Sequence, residues 1–235
     1  MTDVANDITL GDLVTSVPGS ARVLERFGLD YCCGGRRPLR EACEAAGVDA
    51  DEVRLELAAI EDAPEPDWAS MAPRALVDHI EHTHHAYLWQ ELPRLMALAD
   101  KVAGVHGGRH SELAAVRDVV EELRADFEPH LMKEERILFP AIRQLADGGA
   151  TAGFPFGSIA NPVSMMMREH DQTGEILARL RRLTSDFSVP ADGCASYAAL
   201  YQGLEEVERD THLHIHKENN LLFPAVIALE EAAAG

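Results

Sequence analysis

One short segment of the chain occurs twice and carries residue types that bind metal ions. The segment beginning at His130 recurs 84 residues later at His214, and seven of 13 aligned positions are identical, including a shared Leu-Phe-Pro-Ala. Each copy has a glutamate four positions after its histidine, at Glu134 and Glu218. On a helix such residues lie on one face, one turn apart, so an imidazole and a carboxylate can bind the same metal ion. The repeat predicts a pseudo-symmetric site to which each half of the chain contributes the same ligands.

Two further histidines fit the same register. His85 precedes His130 by 45 residues, and His170 precedes His214 by 44 residues, so a second pair of helices can contribute one imidazole each. His84 stays open as an alternative to His85, because the two are adjacent and a one-residue slip is possible. The other histidines have no counterpart in the repeat. We expect those in the Gly-rich stretch to be exposed and the rest to be solvated or to lie beside the ligands: His106 and His110, then His79, His82, His212 and His216.

The predicted ligand set suits a pair of transition-metal ions. A structural zinc site has about four ligands, often thiolates, whereas calcium and magnesium prefer oxygen. Two glutamates on facing helices can each bridge two ions, which leaves a coordination position open for O2, nitric oxide or peroxide. The bridging residues are predicted to be Glu134 and Glu218. The full set is His85, His130, Glu134, His170, His214 and Glu218.

Four long helices must carry these ligands. Apolar residues recur with helical period in each, and the connections between the helices are short, long and short, as in a four-helix bundle. We predict kinks at Pro129 and Pro140 and no chemistry for Leu-Phe-Pro-Ala. The predicted helices are 73–102, after a start at Ser70 or Pro73, then 111–146, 161–184 with Asn161 as cap, and 195–231, with a Gly-rich crossover at 147–159.

A smaller unit precedes the bundle. Residues 8–61 read as short helices, with Pro38 in the first turn of one of them, and an acidic, Pro-rich linker follows at 61–67. We therefore divide the chain into a small helical domain, 1–62, and a bundle domain, 68–235. Within the first domain, paired glycines after Cys32 and Cys33 predict a turn.

Composition restricts the partners and the compartment. The formal net charge of −19 argues against nucleic acid and anionic membranes, which require a basic surface. No apolar run is long enough for a membrane span, and the acidic N-terminus lacks the features of a signal peptide. Four cysteines, two of them adjacent, do not form a secreted disulfide framework. We expect a cytoplasmic protein with reduced thiols, in which Cys43 and Cys194 are buried.

The cysteine pair has several possible roles. A disulfide between Cys32 and Cys33 would be strained and easily reduced. A thiolate pair beside flexible glycines can hold iron, contact a partner or relay redox equivalents. The alternative is a tight turn with incidental thiols.

Four motifs together resemble those of a known family, the RIC or repair of iron centres proteins, which have a hemerythrin-like bundle. They are Tyr-Cys-Cys-Gly-Gly at 31–35, Glu-Glu-Arg-Ile-Leu-Phe-Pro at 134–140, Glu-His-Asp at 169–171 and Glu-Asn-Asn-Leu-Leu-Phe-Pro at 218–224. The resemblance implies a centre of two iron ions with an oxo or hydroxo bridge, on the six residues that spacing selects. Oxygen-carrying hemerythrins use five histidines, and no fifth is placed here.

The resemblance implies repair of iron–sulfur clusters damaged by nitric oxide or oxidative stress, by donation of iron. The implied partners are proteins with damaged clusters and the small molecules nitric oxide and O2, and the implied state is a monomer or homodimer. Cys32 and Cys33 would then assist iron transfer or redox chemistry. Two alternatives remain: an enzyme that reduces nitric oxide or peroxide, and an O2 or nitric oxide sensor. We favour a repair protein over an enzyme.

Overall fold

Every regular element in the described part of the chain is a helix. The computed structural model describes residues 8–17, 19–60, 67–148 and 154–234, and within these ranges the β-type pairing is one isolated bridge between Thr9 and Pro38. The predicted all-α fold, a four-helix bundle behind a small helical domain, is confirmed. No helix in these ranges is long and apolar enough to cross a lipid bilayer. Pro18, the linker at 61–66 and residues 149–153 of the crossover lie outside the described residues.

Short helices with local caps form the N-terminal domain. The Thr9 side chain accepts a hydrogen bond from the Asp12 amide, and Asp49 accepts one from the Asp51 amide, so both helix starts are capped. Gly47 ends the third helix in the left-handed conformation (φ 70°), which glycine adopts without steric cost. The helices are α1 (Leu10–Ser16), α2 (Ser20–Arg26), α3 (Leu39–Ala46) and α4 (Ala50–Ala58).

The bundle consists of four long helices, here numbered I to IV. Helices I, II and IV are each interrupted by a π-helical segment, and helix III is continuous. Helix I comprises α5 (Pro73–Ile80), π1 (Glu81–His85) and α6 (Ala86–His106); helix II comprises α7 (Glu112–Lys133), π2 (Glu134–Leu138) and α8 (Phe139–Ala146); helix III is α9 (Ala160–Leu183); helix IV comprises α10 (Ala195–His216), π3 (Lys217–Leu222) and α11 (Phe223–Ala234).

Two of the π-helical segments precede a proline. Pro140 stands in the first turn of α8, directly after π2, and Pro224 occupies the same place after π3. Proline has no amide hydrogen to donate, and its ring crowds the carbonyl four residues earlier, so a wider turn accommodates it. The predicted irregularity at Pro140 is therefore a change of helix type. At Pro129 the helix α7 continues through the proline.

Three apolar clusters hold the molecule together. The first fills the bundle around residues such as Leu88 and Leu131, and the second fills the opposite end around Phe139 and Phe223. The predicted ligands fall between these two clusters along each helix. The third cluster is the core of the N-terminal domain and includes Ile215 of bundle helix IV. The N-terminal domain therefore packs directly on helix IV.

The helix ends differ from the prediction at a few positions. Helix α6 continues through Gly104 to His106, where a loop was expected, because its last turn is anchored by buried Val102 and His106. Helix α9 begins at Ala160, so Asn161 is not its cap; the Asn161 side chain instead donates to the Phe156 carbonyl. Helix α3 begins one residue after Pro38.

Candidate metal centre

The structure brings the six predicted ligand residues together inside the bundle. They form two groups of potential ligand atoms, and the atoms of each group lie within 4.8 Å of one another. Both groups contain the same two glutamates, and each adds two histidines from different helices. All six residues are buried. The groups are His85, His214, Glu134 and Glu218, and His130, His170, Glu134 and Glu218.

The imidazoles meet in pairs through their Nε2 atoms. His85 Nε2 lies 3.2 Å from His214 Nε2, and His130 Nε2 lies 3.2 Å from His170 Nε2. All four Nε2 atoms therefore face inward, two towards each group. When neither Nε2 atom carries a proton, both lone pairs of a pair point to the same place, and a cation there can bind both.

The glutamates lie between the imidazole pairs. Glu134 Oε2 is 3.4 Å from the Nε2 atoms of both His85 and His130, one member of each pair. The oxygens of Glu218 are 3.2 Å from the Nε2 atoms of the other two histidines. Each carboxylate thus reaches both groups, which is the position of a bridging ligand.

The π-helical segments lie at the ligands. His85 is the last residue of π1, Glu134 is the first residue of π2, and Glu218 is the second residue of π3. A π turn rotates the following side chains relative to an α-helix, and such turns are frequent at functional sites. These interruptions therefore direct the ligand side chains into the bundle.

The repeated Leu-Phe-Pro-Ala places an aromatic ring against one imidazole in each half of the repeat. Phe139 stacks on His85 with 5.2 Å between ring centroids, and Phe223 lies parallel to His170 at 6.0 Å. Both phenylalanines are buried. They limit rotation of the imidazoles and exclude water, which agrees with a packing role for this motif.

Three outer side chains hold the imidazoles in place. The Nδ1 atom of His85 donates to Glu135 Oε1 (3.1 Å), that of His130 to Glu169 Oε2 (2.9 Å), and that of His170 to Asn219 Oδ1 (2.9 Å). A proton held on Nδ1 leaves Nε2 free to bind a metal ion. The spacing argument assigned no role to these residues, although each is adjacent in sequence to a predicted ligand.

The two shared carboxylates form no hydrogen bond of regular geometry. Both side-chain oxygens of Glu134 and of Glu218 are buried without a hydrogen bond, although imidazoles lie nearby. A buried carboxylate in this condition costs several kcal/mol unless a cation compensates it. Two carboxylates and four imidazoles fit a pair of borderline transition-metal ions such as iron.

In the metal-free chain protons occupy this place. Burial lowers the pKa of His85, but Glu134 and the other nearby carboxylates outweigh burial and raise that pKa to about 10. Burial also lowers the pKa of His170, but Glu218 outweighs burial and raises that pKa to about 9. At Glu218, burial raises the pKa but the neighbouring imidazoles outweigh it, and the pKa lies well below its usual range. The site therefore presents the ionised carboxylate of Glu218 together with imidazole protons that a cation can displace.

His84 is oriented away from both groups. Its Nδ1 donates to Asp210 Oδ1 (2.8 Å), and its Nε2 accepts a hydrogen bond from Lys217 Nζ (2.8 Å). Burial lowers the pKa of His84 to about 4, so the ring is neutral and can both donate and accept. The geometry brings His85, and not His84, to the shared carboxylates.

Two of the remaining histidines are more buried than expected. His216 is fully buried and bonds Thr15 Oγ1 (3.2 Å) of the N-terminal domain, so it is not solvated. Burial lowers its pKa to about 4. The bundle repeat could not reveal this partner, because it lies outside the repeat. His106 was expected to be exposed but is buried, with Nε2 3.2 Å from the sulfur of Cys194. Cys194 was expected to be buried but is exposed.

The remaining histidines lie nearer the surface. His82 is exposed and bonds the Asp78 carbonyl, and His110 is half-buried beside Asp192. His79 is half-buried and accepts a hydrogen bond from Lys217 Nζ (3.0 Å). His212 is half-buried near Glu25.

The cysteine pair forms a turn organised by Asp30. The Asp30 carboxylate accepts hydrogen bonds from the amides of Cys32, Cys33 and Gly34, at 2.9 to 3.0 Å. The two sulfurs lie 4.0 Å apart as free thiols, and with Asp30 they form a third group able to hold a metal ion. The hydrogen bond to Cys33 and burial raise the pKa of the Cys32 thiol, so a metal ion must displace a proton there. Cys43 is buried, as expected.

A cavity of about 620 Å³ lies beside this turn and is lined also by residues of bundle helices III and IV. Its lining includes both thiols of the turn and also Asp171 and His212, which lie close in sequence to the ligands His170 and His214. The cavity therefore extends from the cysteine turn towards residues that flank the metal-ligating positions.

Comparison with known proteins places these features in a family. Residues 75–226 match the family described as Hemerythrin HHE cation binding domain, and residues 6–61 match the Domain of Unknown function (DUF542). The chain is similar to the iron-sulfur cluster repair protein YtfE of Enterobacter sp. (strain 638), with 36% identity, and to those of Escherichia coli O81 (strain ED1a) and Escherichia fergusonii, with 35%. Each alignment covers 95% of this chain and 98% of the relative.

Proposed function

This chain belongs to the hemerythrin HHE cation binding domain family, and on that basis we propose that it repairs iron–sulfur clusters damaged by nitric oxide or oxidants by donating iron from a two-iron centre. The observation that carries the proposal is that Glu134 and Glu218 belong to both ligand groups. A single ion would leave one group of buried donors without a cation. The names of the relatives supply the reaction, iron–sulfur cluster repair.

Each residue has a role in this proposal. His85 and His214 would hold one iron, His130 and His170 would hold the other, and Glu134 and Glu218 would be shared between them. Bound iron supplies a cation that exchanges ligands and changes oxidation state. The outer carboxylates of Glu135 and Glu169 keep the imidazoles in the tautomer that binds through Nε2.

The donor set favours release of iron to a cluster. Nitrogen and oxygen ligands hold iron less selectively than the thiolates that bind iron–sulfur clusters, so transfer to a cysteine-rich client is favourable. Protonation of the ligand imidazoles assists the release of iron. The pKa values of about 10 for His85 and about 9 for His170 mean that both imidazoles take up a proton once iron has left.

The turn of Cys32 and Cys33 is proposed as the transfer point or the contact with the client. The thiols line the interdomain cavity together with Asp171, the residue next to the ligand His170. Thiols at this position can accept iron from the bundle side and present it at the surface.

Reactivation of a damaged cluster enzyme tests the proposal. A [4Fe–4S] hydro-lyase inactivated with nitric oxide is incubated anaerobically with iron-loaded protein, with metal-free protein, or with iron-loaded Glu134→Ala protein. We expect rapid reactivation only with the iron-loaded wild type. Equal reactivation by the metal-free protein would exclude iron donation. Repeated consumption of nitric oxide or peroxide with an electron donor would instead support the enzyme alternative, and reversible binding with a change in residues 8–60 would support a sensor.

A further inference from the structure

Three consecutive residues of π3 contact three different parts of the molecule. Glu218 lies in both ligand groups, Asn219 accepts the Nδ1 hydrogen of the ligand residue His170, and Asn220 contacts the cysteine turn of the N-terminal domain. Because π3 is one short segment, a shift of Glu218 moves Asn220 with it. Two peptide bonds and one side-chain hydrogen bond thus connect Glu218 to the turn.

Asn220 is bound to the turn through its side-chain amide. Its Nδ2 donates to the carbonyl of Cys32 at 3.1 Å and lies 3.4 Å from the carbonyl of Tyr31. The same Nδ2 lies 3.2 Å from Nδ1 of His216, one turn earlier on helix IV. The two carbonyls are acceptors, so they determine which end of the amide faces the turn.

Two glycines make room for this side chain. A Cβ added at Gly35 would lie 2.5 Å from Asn220 Oδ1 and 2.5 Å from the Tyr31 carbonyl oxygen, and a Cβ at Gly11 would lie 3.1 Å from Asn220 Oδ1. Gly11 also donates its amide hydrogen to the Gly35 carbonyl at 2.8 Å. The second glycine of Cys-Cys-Gly-Gly therefore permits close approach of the bundle, in addition to forming a turn.

The two halves of the repeat differ at the positions that, in the second half, face the N-terminal domain. In the second half, His216 and Asn220 lie under the N-terminal domain. Their counterparts in the first half, Met132 and Arg136, are exposed. Both halves keep the glutamate at the ligand groups, so the donor amide two residues later is specific to the half that meets the cysteine turn.

We propose that Asn220 is a positioning residue that couples metal binding at Glu218 to the closed conformation of the Cys32–Cys33 turn. This inference deepens the proposed function and rests on it in one respect, namely that Glu218 binds metal. With metal bound, Glu218 holds π3 in place and Asn220 keeps the turn closed. Loss of metal removes this restraint on π3, so the turn opens more often and its thiols react faster at the stage of iron transfer. The coupling is reciprocal, because a closed turn favours the metal-bound arrangement.

Thiol labelling measures this coupling without any repair assay. The rate of Cys33 alkylation by iodoacetamide is followed by peptide mass spectrometry, anaerobically, in iron-loaded and chelator-stripped full-length protein. Cys33 is the reporter because it is half-buried, whereas Cys32 is buried. For the wild type we expect labelling about five-fold or more slower in the loaded protein, the lower end of ordinary coupling.

Two variants and a matched control make the test specific. In Asn220→Ala and in the isosteric Asn220→Asp, the loaded protein is expected to label as fast as the stripped one, and iron affinity is expected to fall by the same factor. Arg136→Ala alters the equivalent exposed position of the first half and should label as the wild type does. Circular dichroism checks that each variant is folded.

Other outcomes would overturn the inference. Iron-dependent protection that persists in both Asn220 variants would mean that iron shields the thiols directly. Equal labelling of loaded and stripped wild type would mean that the turn does not respond to metal. Failure of cluster reactivation, with the labelling pattern intact, would refute the proposed function and leave the coupling in place.

Discussion

The imidazole rings of His84 and His214 lie parallel, with 4° between their planes and 5.4 Å between their centroids. His84 therefore stacks behind a member of the ligand groups without joining them. The next residue, His85, has its Nε2 3.2 Å from Nε2 of the same His214. Two adjacent histidines thus serve one site differently, the first by packing and the second by its inward nitrogen.

Replacement of these two histidines should give opposite results for metal content. His85→Ala should remove a ligand and lower the iron content of the purified protein. His84→Ala should keep iron but lower stability by about 1–3 kcal/mol, because Asp210 and Lys217 each lose a buried hydrogen-bond partner. Metal analysis and denaturant unfolding measure both effects. Iron lost from the His84 variant and retained by the His85 variant would reverse the assignment.

Removal of one shared carboxylate should empty both iron-binding positions. Glu134 lies in both ligand groups, so Glu134→Ala should reduce iron from about two ions per chain to below one. Glu128→Ala, at a solvent-accessible ion pair two residues before His130, is the control and should retain full iron. Iron per chain is measured by mass spectrometry with an inductively coupled plasma source. Retention of one tightly bound ion in the Glu134 variant would contradict a shared bridge.

The outer carboxylate of Glu169 should contribute to affinity without contacting metal. It accepts the Nδ1 hydrogen of His130 and also pairs with Lys133, and the hydrogen bond from His130 is the main reason that its pKa falls to about 2. Glu169→Gln should weaken iron binding about 10- to 100-fold, as expected for outer partners of metal ligands. Competition with a chelator of known affinity measures the change. An iron affinity equal to that of the wild type would show that Glu169 does not contribute to metal binding.

Metal binding should release protons and strengthen as pH rises. The metal-free pKa values of about 10 for His85 and about 9 for His170 lie above pH 7, so both imidazoles carry a proton that metal must displace. Affinity should therefore increase up to about 100-fold per pH unit near neutrality and level off above pH 9 to 10. Calorimetry in buffers of different ionisation enthalpy counts the protons. Binding without proton release at pH 7 would contradict these protonation states.

Cys194 should be the most reactive thiol at neutral pH. A hydrogen bond with His106 lowers the pKa of its thiol to about 7, and the thiolate is the nucleophile. Its alkylation rate should rise with pH around a midpoint near 7, and His106→Gln should move this midpoint upward. Cys43 serves as the internal control, because it is buried and burial raises its pKa. An unchanged midpoint in the His106 variant would show that His106 does not lower the pKa of the Cys194 thiol.

Local sequence rules explain what could be predicted. A histidine and a glutamate four positions apart share one helix face in any α-helix, so the repeat of His130 and Glu134 at His214 and Glu218 was sufficient to find the core of the site. Equal spacing to the preceding histidines added two more candidate ligands. Prolines and glycines marked most helix ends, because they restrict or release the backbone without reference to distant contacts.

The errors share a different cause. The burial of His106 and the Thr15 partner of His216 were not predicted, because the residues that cover these rings come from the start of helix IV and from the N-terminal domain. Local sequence does not say which distant surface covers a given helix face. The same limit hid the π-helical segments, which depend on how the helices accommodate proline and the buried ligands together.

By itself the sequence determined the helical fold, and it predicted the two-part organisation and the six candidate ligands, because each follows from periodicity or from repetition along the chain. Only the tertiary structure decided between His84 and His85, identified Glu135, Glu169 and Asn219 as outer partners, and joined π3 to the cysteine turn through Asn220. The physical reason is that hydrogen bonding and burial act across space, and the partner of a side chain is known only when the helices have packed.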